Sequence, residues 1–265
     1  SHNWFSKTGW ENLWNMIEKM DVAHMMFTPS RSLVNRLAKK SLYTIGDACW
    51  HCHAGVGAWP LKAAIMMKVP LMVWGESICE AGNKASYADN DWQPVKFDEE
   101  YYLKVSSKVR PEKMVDENIS MKDLYPFKLP DKDEVTEANI EGIHLGDYMF
   151  WDGERQVEFI KKEYGWQEDD VDGTYKRYKS VECRMPGVHD YAKFVKRGFG
   201  RTTDHVCQDI RAGLLTREEG FQLIREIEPK RPEALDFYLE ITGLSEEEFY
   251  RVLKEQRTGA AKKIG

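Results

Sequence analysis

The sequence has 265 residues, of which 42% are hydrophobic and 31% are charged, as is typical of a folded globular protein. The net charge of −6 argues against a surface built as a whole to bind nucleic acid. No stretch approaches the roughly 18 apolar residues of a membrane span, no basic and apolar leader is seen, and the five cysteines are sparse. We therefore expect a cytoplasmic protein without a membrane anchor.

The first part of the chain predicts two helices separated by a strand. Leu13, Ile17 and Met20 recur at spacings of four and three, which indicates an amphipathic helix. The apolar run at 22–28 stops before a proline, as a short strand does. Ser30 can cap a second helix, whose inward face would hold Leu33, Val34, Leu37 and Ala38.

The next segment predicts a helix followed by a strand. Proline is tolerated in the first turn of a helix, so we expect a helix to begin near Pro60. The apolar residues Leu71–Trp74 predict a strand after it. This alternation of helices and strands favours an α/β fold with a parallel sheet.

The rest of the chain becomes helical. Residues 78–132 are polar and aperiodic, as in an insertion or lid, whereas 140–151 is an apolar run and the helical pattern after it ends at Gly165. Two capping boxes, at 216–219 and 245–248, begin later helices. Two apolar stripes follow them and are expected in the core: Phe221, Ile224 and Ile227, then Phe249, Val252 and Leu253.

Cys49 and Cys52 form a Cys-x-x-Cys motif whose spacing lets two thiolates bind one metal ion or cluster. Two thiols do not complete a tetrahedral site. Zinc could recruit a histidine, a cubane iron–sulfur cluster prefers cysteines, and two thiols packed in a core are the structural alternative. The remaining candidate ligands are His51, His53, Cys79, Cys183 and Cys207.

A Gly-Glu corner follows the predicted strand Leu71–Trp74. Ligands of open parallel sheets bind beyond the carboxyl ends of the strands. There Gly75 would let the backbone approach a phosphate, and Glu76 could hold magnesium or order a loop. A plain turn from strand to loop is the alternative.

The segment "KRGFGRTTDHVCQDIRAG" (196–213) combines a glycine loop with a helix start. Free N–H groups at a helix N-terminus bind anions, and Thr202 or Thr203 can cap this helix. Gly200 and Arg201 lie at the N-terminus of this helix, and Asp204, Gln208 and Arg211 share one side of it. We expect Val206 and Ile210 to face the core, with Cys207 also turned inward.

Positive charge is concentrated around this loop. From Tyr175 to Arg217 there are ten basic and four acidic residues, a net charge of +6. A solvated face and a site for a phosphorylated or otherwise anionic ligand are equally consistent with it.

Together, "GDACWHCHAGVGAWPLKAA", "VPLMVWGES", "LGDYMFWD", "EYGW" and "KRGFGRTTDH" with the later "DIRAGLLTREEG" resemble the N-acetyl sugar amidotransferases. These are lipopolysaccharide O-antigen enzymes of the PP-loop ATP pyrophosphatase superfamily. The resemblance implies ATP- and Mg²⁺-dependent adenylation of the acetamido oxygen of a nucleotide-linked sugar. Ammonia, supplied by a partner glutaminase and synthase pair resembling histidine-pathway enzymes, would then displace AMP to leave an acetamidino group.

A second resemblance, to the cluster-dependent tRNA-thiolating branch of this superfamily, concerns the cysteines. In that branch Cys-x-x-Cys precedes a helix, a strand and a glycine corner, and a third cysteine follows later. It implies that Cys49, Cys52 and Cys183 ligate a [4Fe–4S] cluster, with Zn²⁺ as the alternative. Cys79 and Cys207 would not take part.

The Ser-Gly-Gly-x-Asp-Ser pyrophosphate loop of the superfamily is not found in the 265 residues. We expect it upstream, or lost, and we expect little activity from this stretch alone. The resemblance then divides the chain into four parts: a remainder of the PP-loop α/β domain (adenine nucleotide alpha hydrolase-like) at 1–77, an insertion or lid at 78–132, the end of that domain at 133–187 and a helical C-terminal region at 188–265.

Two other functions stay open: an iron–sulfur-dependent tRNA or small-molecule thiolase, and a truncated metal-binding module that partners a complete subunit. The sequence does not assign a general base. Four residues are candidates without known geometry: His53, Glu76, Asp147 and His205.

Overall fold

The computed structural model describes residues 4–75, 99, 102–149, 152–259 and 261–264. Two strands are present in them, β1 (Leu71–Trp74) and β2 (Glu141–His144), and α-helices form most of the rest. No helix in these ranges combines the length and the apolar character that crossing a membrane requires. The helices are α1 (Lys7–Met20), α2 (Arg31–Ile45), α3 (Trp50–Met67), α4 (Lys132–Glu137), α5 (Gly153–Tyr164), α6 (Pro186–Arg197), α7 (Arg201–Arg211), α8 (Arg217–Ile227), α9 (Ala234–Thr242), α10 (Glu246–Glu255) and α11 (Ala261–Ile264).

The chain divides into two compact units. Unit 1 combines Ser1–Cys49 with Glu154–Gly265, and unit 2 is Trp50–Gly153. Unit 1 is therefore discontinuous in sequence, and the division falls inside the Cys-x-x-Cys motif, between Cys49 and Trp50.

Four helices form the core of unit 1, because α9 and α10 each contact both α2 and α6. The predicted inward face of α2 is confirmed: Leu33, Val34, Leu37 and Ala38 are all buried. The hydroxyl of Tyr238 on α9 donates to the carbonyl oxygen of Ala38 at 3.0 Å. This bond satisfies a polar group that burial would otherwise leave without water.

The first described residues of unit 1 bind the segment that leads into α6. Phe5 and Cys183 form an isolated antiparallel bridge, flanked by backbone bonds from Arg184 N–H to the Trp4 carbonyl (2.9 Å) and from Ser6 N–H to the Glu182 carbonyl (3.2 Å). Gly9, in the first turn of α1, lies directly against this segment. A Cβ added there would be 2.3 Å from the Cα of Glu182, so only glycine fits without a shift.

In unit 2, α3 packs against the short helical turns at Tyr102–Ser107 and Tyr125–Phe127. The prediction that a helix begins near Pro60 is wrong, because α3 begins at Trp50 and holds Pro60 in its interior. Its buried side recurs every three or four residues, which gives the segment a helical face well before the proline. The residues on that side include Trp50, Ala54, Ala58, Leu61 and Ala64.

The sheet of unit 2 confirms part of the predicted architecture. β1 and β2 pair in parallel, with Leu71 opposite Glu141 and Trp74 opposite His144. The strand at Leu71–Trp74 is therefore confirmed, and a small parallel sheet within a mainly helical chain is consistent with the α/β class. The apolar run at 140–151 is a strand only in its first part, because β2 ends at His144 and a 3₁₀ turn, Leu145–Asp147, follows it.

Two local predictions in unit 1 are wrong. Residues 22–28 form neither strand nor helix, and Val22, Met25 and Met26 are exposed. A strand needs a neighbour to bond with, and no described residue forms a bridge to this segment. Phe221, predicted in the core on α8, is 53% exposed, although the second stripe, Phe249, Val252 and Leu253, is buried as predicted.

The predicted ends and caps of the later helices agree with the structure. α5 ends at Tyr164 and Gly165 follows with a φ of +66°, a conformation that glycine adopts at little cost. The capping box between Thr216 and Glu219 at the start of α8 is confirmed. At the start of α10 the Ser245 hydroxyl accepts from the Glu248 N–H at 3.1 Å, which is one half of the predicted box.

Candidate functional site

Three potential metal ligands meet in unit 1, and one of them is Cys49, the first cysteine of the Cys-x-x-Cys motif. Asp47, Cys49 and His189 each offer one ligand atom, and these atoms all lie within 4.8 Å of one another. Among the residues that the structure describes, no other group of three or more His, Cys, Asp or Glu side chains converges in this way. Asp47 is 5% exposed and Cys49 is 8% exposed, so two of the three are buried.

The local sequence fixes the positions of Asp47 and Cys49. α2 ends at Gly46, whose φ of +63° turns the chain, and the Ser41 hydroxyl then donates to the Asp47 carbonyl at 2.5 Å. The Asp47 side chain turns toward its own segment, and its Oδ1 accepts the backbone N–H of Cys49 at 2.8 Å. This bond holds the carboxylate beside the thiol.

His189 reaches the group from α6, 142 residues away in sequence. Its Nδ1 lies 2.8 Å from the same Oδ1 of Asp47. A histidine ring that is held by a carboxylate in this way has a fixed orientation, as metal-ligating histidines do. The group therefore combines sulfur, nitrogen and oxygen donors on a rigid frame.

Cys183 lies just before α6, where its Sγ accepts the backbone N–H of Met185 at 3.3 Å. It also lines a cavity of about 340 Å³ in unit 1. Its charged lining residues are Arg184 and four acidic residues: Asp169, Asp170, Asp172 and Glu233.

The predicted three-cysteine ligand set is divided between the units. Cys49 and Cys183 belong to unit 1, whereas Cys52 lies in the first turn of α3 in unit 2. The group around Cys49 consists of Asp47 and His189 rather than Cys183. The [4Fe–4S] cluster stays a prediction, and Cys79 lies outside the described residues.

Cys207 is exposed on α7, so the prediction that it faces the core is wrong. The buried side of this helix holds four residues at spacings of three, four and seven: Thr202, His205, Val206 and Asp209. Val206 is buried as predicted, whereas the other three are polar, so the apolar pattern did not reveal them.

The predicted anion-binding site at the start of α7 is occupied by a carboxylate of the protein itself, that of Glu228. Gly200, not a threonine, is the N-cap residue, and the Thr202 hydroxyl instead donates to the Gly173 carbonyl at 2.8 Å. Glu228 Oε1 accepts the backbone N–H groups of Gly200 at 2.9 Å and of Thr203 at 2.6 Å. The sequence therefore located a helix N-terminus that attracts negative charge, and a buried glutamate supplies it.

The other predicted substrate-binding residues also have partners within unit 1. Arg201 Nε donates to Asp190 Oδ2 at 2.5 Å, and its Nη1 donates to the Ser180 hydroxyl at 2.9 Å. Asp204 is exposed in the first turn of α7 and pairs with Lys193 at 2.5 Å. Arg211 is exposed in the last turn of the same helix. Their role in substrate binding stays a prediction.

A buried polar network connects α7 with the segment before α6. Lys176 is 8% exposed, and its Nζ donates to Asp209 Oδ1 at 2.8 Å and also to Glu154. The Tyr175 hydroxyl donates to Asp209 Oδ2 at 2.5 Å. Burial, and then the hydrogen bond to Asp209, raise the pKa of Tyr175, so this hydroxyl stays a donor.

His205, one of the candidate bases, belongs to the same region. Its Nδ1 lies 2.7 Å from the hydroxyl of Thr174. Burial above all, and the nearby cation of Arg201 next, lower the pKa of His205 to about 3. The ring is therefore neutral at physiological pH. The spacing of residues 202, 205 and 209 is the sequence signal that could have revealed this buried polar side.

In unit 2, the parallel pairing brings two polar corners to one edge of the sheet. β1 and β2 end opposite each other at Trp74 and His144, so Gly75 and the turn Leu145–Asp147 both follow a carboxyl end. Gly75 is exposed, with no atom within 4 Å of the position of an added Cβ, whereas Asp147 is 3% exposed. Glu76, the other predicted nucleotide-binding residue, lies outside the described residues.

Unit 2 also contains a cavity of about 760 Å³ that the sequence did not predict. This volume is within the range of small-molecule sites. It lies partly in the segment 102–132, whose lack of periodicity gave no signal for a cavity. The lining includes both charges and an aromatic ring: Glu99, Tyr102, Arg110, Lys128, Asp131 and Lys132.

Residues 172–262 match the family model described as LPS biosynthesis protein WbpG-like, C-terminal domain. The matched segment includes His189, the loop at Gly200 and helices α6 to α10. A search of curated proteins finds no match. The family match supports, at a coarse level, the resemblance to lipopolysaccharide biosynthesis proteins that the motifs indicated.

Proposed function

We propose that this chain acts in lipopolysaccharide biosynthesis as an ATP-dependent amidotransferase on a nucleotide-linked N-acetyl sugar. The observation that carries the proposal is the match of residues 172–262 to the WbpG-like C-terminal domain. Motifs outside that segment, among them "GDACWHCHAGVGAWPLKAA", extend it to the N-acetyl sugar amidotransferases.

The proposed reaction has two steps. The acetamido oxygen attacks the α-phosphate of ATP, so that an O–P bond forms and pyrophosphate leaves with Mg²⁺. Ammonia then attacks the activated carbon, loses protons, and expels AMP with the former amide oxygen. The product is an acetamidino group, and the first step is needed because an amide oxygen is otherwise a poor leaving group.

The ATP and Mg²⁺ are assigned to the carboxyl edge of the sheet in unit 2. Ligands of parallel sheets bind at this edge, and Gly75 is exposed there. We propose that Gly75 lets the backbone approach a phosphate and that Glu76 ligates Mg²⁺. Asp147, in the turn that follows β2, places a carboxylate at the same edge of the sheet.

The sugar nucleotide is assigned to the basic segment that contains Gly200, Arg201, Asp204 and Arg211. The net charge of +6 from Tyr175 to Arg217 favours a phosphorylated ligand. Arg201 is already oriented by Asp190, and Asp204 and Arg211 present exposed side chains on α7. A hydrogen-bonded guanidinium of fixed orientation loses less entropy when it binds a phosphate.

The proposal includes a metal centre at Cys49, with Cys52 and Cys183 as further ligands. A [4Fe–4S] cluster on three thiolates would leave one iron open to an external ligand, and Zn²⁺ on the same residues is the alternative. If the three thiolates hold the metal, serine variants at Cys52 and Cys183 should lose it, with Cys207→Ser as the matched control, because Cys207 is exposed on α7.

The test of the function is product analysis. The full-length natural protein is incubated with ATP, Mg²⁺, isotopically labelled ammonium and UDP-linked N-acetyl sugars, and the sugars are analysed by mass spectrometry. We expect one labelled nitrogen per sugar and one AMP per product. A second incubation replaces ammonium by glutamine and a glutaminase partner. Sugar that remains unlabelled while the protein binds ATP would reject the proposal.

The alternative functions give different results in parallel incubations. A thiolase would transfer sulfur to tRNA or to a small molecule in the presence of ATP, and its binding to tRNA would weaken with added salt. A metal-binding module would show neither activity until its complete partner subunit was added.

A further inference from the structure

The donors around Cys49 distinguish between the two metals. An iron–sulfur cluster is ligated mainly by thiolates, whereas zinc accepts thiolate, imidazole and carboxylate in one site. The side chains that converge on Cys49 are a carboxylate and an imidazole, Asp47 and His189. A mixed set of this kind is the chemistry of a mononuclear zinc site.

The distances are compatible with such a site. With zinc–ligand bonds of about 2.0–2.3 Å, tetrahedral ligand atoms lie about 3.3–3.6 Å apart. The three ligand atoms of Asp47, Cys49 and His189 now lie within 4.8 Å of one another. Side-chain shifts of about 1 Å would therefore bring them to bonding positions, with the backbone left in place.

The frame around the three residues is already rigid. The Asp47 carboxylate is fixed by the Cys49 N–H, and the His189 ring is fixed by the carboxylate, each at 2.8 Å. Cys49 and His189 come from segments of unit 1 that are 140 residues apart, so their meeting requires the tertiary fold. Such preorganisation lowers the entropic cost of binding an ion.

We propose that Asp47, Cys49 and His189 bind one divalent transition-metal ion of the zinc class. The ligands are the thiolate of Cys49, a ring nitrogen of His189 and a carboxylate oxygen of Asp47. A fourth position stays open to water or substrate, as in zinc sites with three protein ligands. This inference keeps the proposed metal at Cys49 but gives it Asp47 and His189 as ligands in place of Cys52 and Cys183, and it is independent of the sugar chemistry.

Binding of the ion releases protons. The thiol of Cys49 loses its proton when it ligates the ion, and the imidazole of His189 ligates in its neutral form. Metal affinity should therefore fall as the pH falls, because protons compete for the same atoms.

The experiment is a Co²⁺ titration of the chelator-treated full chain, because tetrahedral Co²⁺ reports its ligands by absorption. We expect one Co²⁺ per chain, a thiolate-to-cobalt charge-transfer band, and displacement by Zn²⁺. Cys49→Ser should abolish the band. His189→Ala should weaken binding by more than the roughly 10–100-fold typical of an outer-shell change. His24→Ala, which removes an exposed imidazole of unit 1, is the matched control.

A second variant protects the test against unfolding. His189→Cys should bind Co²⁺ with a stronger charge-transfer band, because a second thiolate replaces the imidazole. Circular dichroism of every variant without metal shows whether the fold is retained.

Other outcomes overturn the inference. Equal Co²⁺ affinity in folded His189→Ala and wild type would remove His189 from the site. Iron and sulfide without zinc in anaerobically purified protein, lost equally in Cys49→Ser, Cys52→Ser and Cys183→Ser, would establish the three-thiolate cluster instead. These readouts are metal binding, so a failure to form the amidine product would reject the proposed function and leave this inference standing.

Discussion

Glu228 binds the backbone of Gly200: its Oε1 accepts the Gly200 N–H at 2.9 Å, at the start of α7. The same oxygen accepts the Thr203 N–H at 2.6 Å. The side chain of Glu228 is buried and replaces the water that these two N–H groups would otherwise bind. It also places negative charge at the positive end of the helix dipole.

Glu228→Ala should lower the free energy of unfolding by about 2–3 kcal/mol, because it leaves the buried N–H of Gly200 and the partly buried N–H of Thr203 without their charged acceptor. Glu228→Gln, which keeps an acceptor oxygen and loses the charge, should cost about 1 kcal/mol. Denaturant titration measures both. Glu226→Ala is the control and should change little, because Glu226 is exposed in the last turn of α8 and its carboxylate bonds Gln222. If Glu228→Ala were as stable as the control, the hydrogen bonds of Glu228 to the start of α7 would not contribute to the stability of the fold.

Arg201→Ala should destabilise the protein because it leaves the buried carboxylate of Asp190 without its partner. Removing one partner of a buried ion pair costs about 3 kcal/mol at the lower end of the observed range, which suits a partly exposed arginine. Arg201→Lys keeps the charge but loses the second bond, to Ser180. Its stability should therefore lie between those of Arg201→Ala and wild type.

The control for this arginine is Arg251→Ala, since Arg251 also pairs with two acidic residues but at the exposed surface of α10. Thermal unfolding should separate the two variants, with little change for Arg251. Equal stability of Arg201→Ala and wild type, together with weaker binding of UDP-sugar, would instead assign Arg201 to the ligand alone.

Gly9→Ala should destabilise unit 1, although alanine is the better helix former. The added Cβ would lie 2.3 Å from the Glu182 Cα, and a backbone atom cannot move aside as a flexible side chain can. Overpacking of this kind costs about 1–3 kcal/mol, more than the about 1 kcal/mol that alanine gains in helix propensity. Gly75→Ala, where no atom lies within 4 Å of the new Cβ, should be neutral in the same thermal unfolding measurement. A stable Gly9→Ala variant would show that α1 can move away from the Glu182 segment.

The stability of the protein should fall as the pH falls below about 6.5, the ordinary pKa of histidine, because of His205. Its pKa in the folded protein is lowered to about 3, mainly by burial. The unfolded chain therefore binds a proton between these two values and the folded chain does not, so the stabilisation is complete above pH about 6.5 and is lost toward about 3.

The slope attributable to His205 should approach about 1.4 kcal/mol per pH unit in that interval. His205→Gln should remove this slope from denaturant titrations at several pH values, whereas His24→Gln, at an exposed position, should keep it. An unchanged slope in the His205 variant would show that other groups cause the acid sensitivity.

The sequence predicted well those features that short segments determine by themselves. The inward face of α2 follows from the spacing of Leu33, Val34, Leu37 and Ala38, and the capping box of Thr216 and Glu219 follows from two residues three apart. The glycine loop before α7 likewise marked a real helix start. In each case the interacting groups are neighbours along the chain, so periodicity and capping rules apply to them.

The features that the sequence missed depend on distant partners. Asp47 and His189 are 142 residues apart, and neither has a local pattern that indicates the other. Glu228 gave no sign that it would bind Gly200 and Thr203. The run at 22–28 is apolar enough for a strand, but strand formation depends on a neighbour, and the described residues supply none. Its apolar side chains were therefore not evidence of a sheet.

The backbone bonds between Trp4–Ser6 and Glu182–Arg184 have a consequence for synthesis of the chain. A ribosome releases Ser1–Cys49 well before it releases the residues that complete unit 1. At about 5–20 residues per second, the intervening stretch takes on the order of ten seconds to translate. During that interval Trp4 and the apolar face of α2, which are buried in the finished protein, remain open to chaperones and to aggregation.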